Sequence, residues 1–202
     1  MLKNIPKSIE SGIHFVNISK DKHSILSYKT EFSTKHHFFD IKIGHGEIAK
    51  IKNHFYHLHK GDHKIVYKKG SHGIIFSVGA DVSMQYQVLE ALLDELIEQF
   101  NLSHADTVKY YFDSGSQQNF QEFSKNIDYT IKNFHSLNLV SYVQIFCTAC
   151  KRNHIIAVKN SLIKNSEKSI VPLVYYHNGI PILIYIDQDF NIRGIEQVSI
   201  TG

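Results

Sequence analysis

Gly73-Ile74-Ile75-Phe76-Ser77-Val78-Gly79-Ala80-Asp81-Val82-Ser83 runs straight into a leucine-rich segment, Leu89-Glu-Ala-Leu-Leu-Asp-Glu-Leu-Ile-Glu-Gln-Phe100. In the first part Ile74, Phe76 and Val78 alternate, which places them on one face of a β-strand. Asp81-Val82-Ser83 then offers side-chain oxygens able to cap a helix N-terminus. From Met84 to Phe100 the period becomes helical, with Val88, Leu89, Leu92, Leu93, Leu96 and Phe100 on one apolar face and Glu90, Asp94, Glu95 and Glu98 turned to water. A strand that hands over to an amphipathic helix in this way predicts an α+β fold, an antiparallel sheet with packed helices.

Working upstream, Lys64 to Lys68 pairs with Gly73 to Val78 across the turn Lys69-Gly70-Ser71-His72, giving one hairpin. Ile13 to Ile18 and Ser24 to Thr30, separated by the polar turn Lys20-Asp21-Lys22, predict another. Phe38 to Ile43 alternates and reads either as a short strand or as a lead-in. Between the hairpins, Ile48, Ile51, Phe55 and Leu58 fall at i, i+3, i+7 and i+10, the stripe of a helix that Gly61-Asp62 ends. Downstream, Val108 to Phe112 is apolar without a clear period, and Asp113-Ser114-Gly115-Ser116 is a break. Phe120, Phe123, Ile127, Ile131 and Phe134 then mark a further helix. The predicted core of this segment comprises Phe15, Ile51, Phe55, Ile74, Phe76, Val78, Leu89, Leu92, Leu96 and Phe100.

Near residue 138 the helical period gives way to alternation. Val140 to Phe146, His154 to Val158, Val171 to Tyr176, Ile182 to Ile186 and Ile192 to Ile200 all read as strands, with a turn at Asp187-Gln188-Asp189. The expected organisation is an α+β domain over residues 1–137 and a small all-β domain over 138–202.

Composition narrows the function classes. A chain of 202 residues with 43% hydrophobic content can bury a core. The 22 basic and 19 acidic residues, net charge +3, are interspersed. That pattern argues against a nucleic-acid footprint, which concentrates basic side chains on one face. No apolar run approaches the ~20 residues of a membrane helix, and Met1 to Glu10 lacks the apolar centre of a signal peptide. A cytoplasmic, reducing location is therefore expected, where paired cysteines serve more often as metal ligands or redox groups than as staples.

The sharpest chemical feature is Cys147-Thr148-Ala149-Cys150 followed by His154. Two thiolates three residues apart can grip one zinc ion from a turn at a strand end, and the imidazole supplies a third donor. His177, which precedes the turn Asn178-Gly179, is the candidate fourth ligand. Two plain thiols in a β-turn are the simpler alternative. A thioredoxin-like role requires the CxxC to open a helix, and none is predicted there. A second motif, His57-Leu58-His59-Lys60-Gly61-Asp62-His63, resembles the HxHxDH metal motif of metallo-β-lactamase-like hydrolases, with one residue more before the Asp-His pair. It marks His57, His59 and His63 as candidate ligands of a metal-dependent hydrolase, against the simpler reading of a solvated helix end.

The order hairpin, helix, hairpin, strong helix, further helix resembles a longin-type domain over about residues 11 to 135, carried most by Gly73 to Ser83 running into Leu89 to Phe100. The sequence supplies four of the five strands usual in that family. The resemblance implies a non-catalytic scaffold or trafficking-type adaptor that binds a small GTPase, another longin-like chain or a short peptide. The tail, from Cys147 to His154 with Tyr185 to Glu196, resembles knuckle-plus-hairpin domains at the ends of archaeal proteins, though zinc knuckles usually carry Pro and Gly where Thr148 and Lys151 stand here. It implies one structural zinc ion and leaves a nucleic-acid-associated zinc protein as an alternative. The candidate partner surface is the edge of the N-terminal hairpin, at Ser24, Leu26 and Tyr28, where a peptide strand or a second copy in a homodimer can add to the sheet, the simpler alternative being that the loop Phe32 to Ile43 covers this edge.

Overall fold

The computed structural model describes residues 9–20, 23–35, 54–114, 120–148, 150–177 and 179–198. They fall into two compact units, the first ending at Leu137 and the second beginning at Asn138.

The first unit contains a short helix α1 (Ile9–Gly12), strands β1 (Ile13–Lys20), β2 (His23–Lys29), β3 (Phe55–Lys60), β4 (His63–Lys69) and β5 (Ile74–Asp81), then helices α2 (Tyr86–Ser114) and α3 (Phe123–Lys132). The strands form one sheet in the order β2-β1-β5-β4-β3, and every neighbouring pair is antiparallel. Central β5 is buried from Ile74 through Ala80. Its two faces are both enclosed, so the segment reads as a nearly continuous run of apolar and small residues rather than a strict alternation. Gly79 belongs to that run for a steric reason. A Cβ there would lie 2.0 Å from Cε1 of Phe15, whose ring crosses the strand.

α2 lies against β4 and β5, and α3 lies against α2. Leu89, Leu92, Leu93, Leu96 and Phe100 are fully buried on the predicted stripe. Phe100 meets the rings of Phe76 and Phe123 edge-on, at 5.3 and 5.1 Å between centroids. Of the ten expected core residues, Ile74, Phe76, Val78, Leu89, Leu92, Leu96 and Phe100 are buried. Phe15 and Phe55 are half-buried, and Ile51 lies outside the described residues.

Three local expectations are corrected. Phe55 to Leu58 is not the end of a helix but most of β3, paired with β4 from Phe55↔Lys68 to Lys60↔His63. The Phe55/Leu58 spacing of three fits a helix, yet Gly61, with φ of +58°, turns the chain straight back into β4. Antiparallel pairing across so tight a turn outweighs a short periodic match. Ile48 and Ile51 of that stripe, and Phe38 to Ile43, lie outside the described residues. Asp81 does not cap α2, since it ends β5 and its carboxylate accepts from His14 Nε2 at 2.9 Å. Glu90 does not face water, being 8% exposed. α2 also absorbs Val108 to Phe112, and it ends at Ser114, inside the predicted break.

The second unit is a hairpin of β6 (Val140–Cys147) and β7 (Arg152–Lys159), a single helical turn α4 (Asn160–Lys164), and a meander of β8 (Ile170–His177), β9 (Ile180–Asp187) and β10 (Ile192–Gln197). The turn α4 departs from the all-β expectation. Its Ile163 enters the apolar cluster that β6 and β7 share with β8 and β9, which includes Val143, Ile145, Ile156, Val158, Val171, Ile182, Ile184 and Ile186. The β9–β10 loop is fastened by the Asp187 carboxylate, which accepts from the backbone N–H groups of Asp189 and Asn191 and from Arg193 Nε.

Candidate metal centre

Alternation along β6 sends Val143, Ile145 and Cys147 inward and leaves Gln144 and Phe146 outside, Phe146 at 51% exposure. Cys147, 1% exposed, is thus the last residue of the core face and part of the apolar cluster itself. The chain then reverses. Lys151 N–H donates to Cys147 O at 2.8 Å, and Lys151 takes a left-handed φ of +55° to complete the turn. The β6–β7 register pairs Ile145 with His154 and Val143 with Ile156. Residues opposite one another in an antiparallel pair share a face, so His154 comes up on the same side as Cys147.

Cys150 Sγ and His154 Nε2 are 3.0 Å apart. The ligand atoms of Cys147, Cys150 and His154 all lie within 4.8 Å of one another. Tetrahedral zinc with Zn–S bonds of about 2.3 Å holds its sulfurs roughly 3.8 Å apart, so small side-chain rotations suffice to close the set on an ion. Neither cysteine is in a disulfide. Among the described residues this is the one group of three or more His, Cys, Asp or Glu side chains gathered so closely.

β8 brings a further group to the site that the sequence reading passed over. Tyr175 packs against the shared core together with Cys150. Burial first, and then the charges of Cys147 and Cys150, push its phenol pKa up. The available signal was strand parity, because Val171, Leu173 and Tyr175 are the core-facing positions of β8 while Ile170, Val174 and Tyr176 are exposed. His177 ends β8 opposite Ile180; its side chain lies outside the described residues.

The other candidate residues are placed as follows. His57 and His59 lie on β3 and His63 opens β4, and the three do not gather into a ligand set. His57 Nε2 donates to Glu90 Oε1 at 2.8 Å, and its ring stacks on Tyr86 at 4.3 Å. His59 is exposed opposite Lys64. His63 meets His14 edge-on at 5.2 Å. Ser24, Leu26 and Tyr28 lie on β2, which is an edge of the five-stranded sheet and pairs only with β1 among the described residues. Ser24 donates to Asn17 Oδ1 and Leu26 is buried. Tyr28 donates to Asp128 Oδ1 on α3 at 2.8 Å, and Lys132 lies 2.8 Å from the other carboxylate oxygen. The Lys132 ammonium holds the Asp128 carboxyl pKa below its usual value, while burial and then the bond to Asp128 hold the Tyr28 phenol above its own.

No protein-family model matches the chain, and no curated protein matches it.

Proposed function

We propose that this chain is a non-catalytic interaction module whose second unit is held by one structural zinc ion at Cys147, Cys150 and His154. The observation that carries the metal reading is the convergence of those three donors at the end of one hairpin. Two thiolates and an imidazole form a soft and borderline set that favours zinc over magnesium or calcium. The site sits at the edge of a modest apolar core, where a metal adds fold stability that burial alone supplies sparingly in so short a segment. His177 is proposed as the fourth donor. It follows Tyr175 by two residues, so its position on β8 has the parity of the strand's core-facing positions.

The first unit is proposed to be longin-like. The antiparallel order β2-β1-β5-β4-β3, followed by two helices, supports this, and β3 supplies the fifth strand that the sequence left unassigned. Its partner is proposed to be a small GTPase or another longin-like chain, a second copy included, in the cytoplasm. No helix among the described residues is long and apolar enough to cross a membrane. The hydrolase reading loses support because His57 is spent on Glu90. The alternative of a nucleic-acid-associated zinc protein rests on the resemblance of the Cys147 to His154 stretch to a zinc knuckle.

With Leu26 and Tyr28 engaged in the fold, what β2 offers a partner is its outer backbone edge rather than those side chains. Amide hydrogen exchange across a concentration series, read with sedimentation, tests this for the homodimer. Protection of Ser24 to Lys29 that grows as a dimer forms supports edge pairing. Dimerisation without change in those amides contradicts it.

A further inference from the structure

We propose that Cys147 and Cys150 form a hydroperoxide-responsive pair that surrenders its metal when the two sulfurs join. The inference rests on the metal reading above and adds a regulation to that site. The two sulfurs are not equivalent. Both sulfurs lie within 4.8 Å of each other, but Cys147 is 1% exposed inside the apolar cluster whereas Cys150 is half-buried on the turn. A small polar oxidant therefore meets Cys150 first, and Cys147 is kept in reserve a short rotation away.

The chemistry balances with a hydroperoxide as the named oxidant. The Cys150 thiolate attacks one peroxide oxygen, the O–O bond breaks, and hydroxide or alkoxide leaves, giving Cys150 sulfenic acid. The Cys147 thiolate then attacks the Cys150 sulfur, the S–O bond breaks, hydroxide leaves, and the S–S bond forms. Two electrons pass from the two sulfurs to the peroxide. The bridged sulfurs are no longer thiolate donors, and His154 with at most one further side chain is too small a ligand set to retain zinc. The turn geometry suits the product. Lys151 N–H to Cys147 O closes the turn between the two cysteines, so an S–S bond of about 2.05 Å would link two sulfurs already held within 4.8 Å at one hairpin end.

The effect is confined to a hairpin end that carries exposed Phe146, Lys151 and Arg152. Exchange of a tetrahedral metal for a disulfide at that end would alter the surface those residues present. A dithiol reductant with zinc should restore the first state, which makes the pair a switch rather than a lesion.

The test uses the full chain, reduced and zinc-loaded, treated with a small molar excess of hydrogen peroxide in the presence of a chromogenic chelator. The expected result is release of the bound zinc, together with a protein mass two hydrogens below that of the reduced apoprotein, reversed by dithiothreitol and zinc. Order of attack is read by dimedone labelling of metal-free variants. Cys150 in Cys147→Ser should label at least about tenfold faster than Cys147 in Cys150→Ser, since susceptibility follows exposure. Zinc that is bound but not released, over-oxidation of either cysteine without a disulfide, or faster labelling of Cys147 would overturn the switch alone. A reduced chain that holds no zinc overturns the metal reading and the switch with it.

Discussion

His57 Nε2 donates to Glu90 Oε1 at 2.8 Å, joining edge strand β3 to the first turns of α2. The carboxylate is the more enclosed partner, with 11% of its side chain exposed against 38% for the imidazole. Two groups that look like solvated surface in the sequence thus hold two elements of the fold together.

Replacing Glu90 should therefore behave differently from replacing an exposed acid on the same helix. Glu90→Ala removes the acceptor from a part-buried bond and should cost about 1–3 kcal/mol. Glu98, which is exposed, should change stability by no more than about 0.5 kcal/mol on the same substitution. Urea unfolding of both variants decides the matter. Equal effects would mean that the His57–Glu90 contact contributes nothing to folding.

The crossing of Phe15 over Gly79 predicts a coupled pair. Gly79→Ala pushes a methyl group into the Phe15 ring and should cost about 1–3 kcal/mol as overpacking. Phe15→Leu withdraws the ring edge, so the double variant should be more stable than the summed single losses by at least about 0.5 kcal/mol. Strict additivity would show that the two residues do not meet.

His104 should make the first unit sensitive to acid. Its ring stacks on Phe100 at 5.0 Å and meets Phe123 edge-on at 5.6 Å, and burial pushes its pKa below the ordinary 6.5. The folded chain then binds this proton less readily than the unfolded chain. The stability that the neutral ring supports is present above the unfolded value and drains away as pH falls through and below about 6.5. His104→Gln should show a shallower loss of urea midpoint between pH 7.5 and 5.5 than the wild type, roughly the range in which an ordinary imidazole takes its proton. Identical losses would contradict an imidazole whose proton affinity is lowered by its partial burial.

What the sequence made legible follows from how far each signal reaches along the chain. α2 buries a regular helical stripe that named it, and β5, though buried from Ile74 through Ala80, was named by its larger apolar residues Ile74, Phe76 and Val78 falling two apart. β3 is six residues on a sheet edge, and Phe55 and Leu58 sit three apart as a helix would place them. Only its pairing with β4 separates the two readings, and a partner strand is not a property of the local pattern. Asp81 failed as a cap for a similar reason, because its partner His14 lies 67 residues away in sequence. The metal-site donors were the opposite case. Cys147, Cys150 and His154 fall within one hairpin, so a single turn and its register bring them together. Tyr175 comes from β8, and a contact made across packed sheets left no trace near the CxxC.

The most direct test of the metal centre is native mass spectrometry of the chain purified under reducing conditions, with total zinc measured on the same sample. One zinc ion per chain is expected, lost in Cys147→Ser and in Cys150→Ser and retained when His57, His59 and His63 are all replaced by alanine. A metal-free wild type that takes up no added zinc, or zinc that persists without the cysteines and disappears with the three histidines, would contradict it.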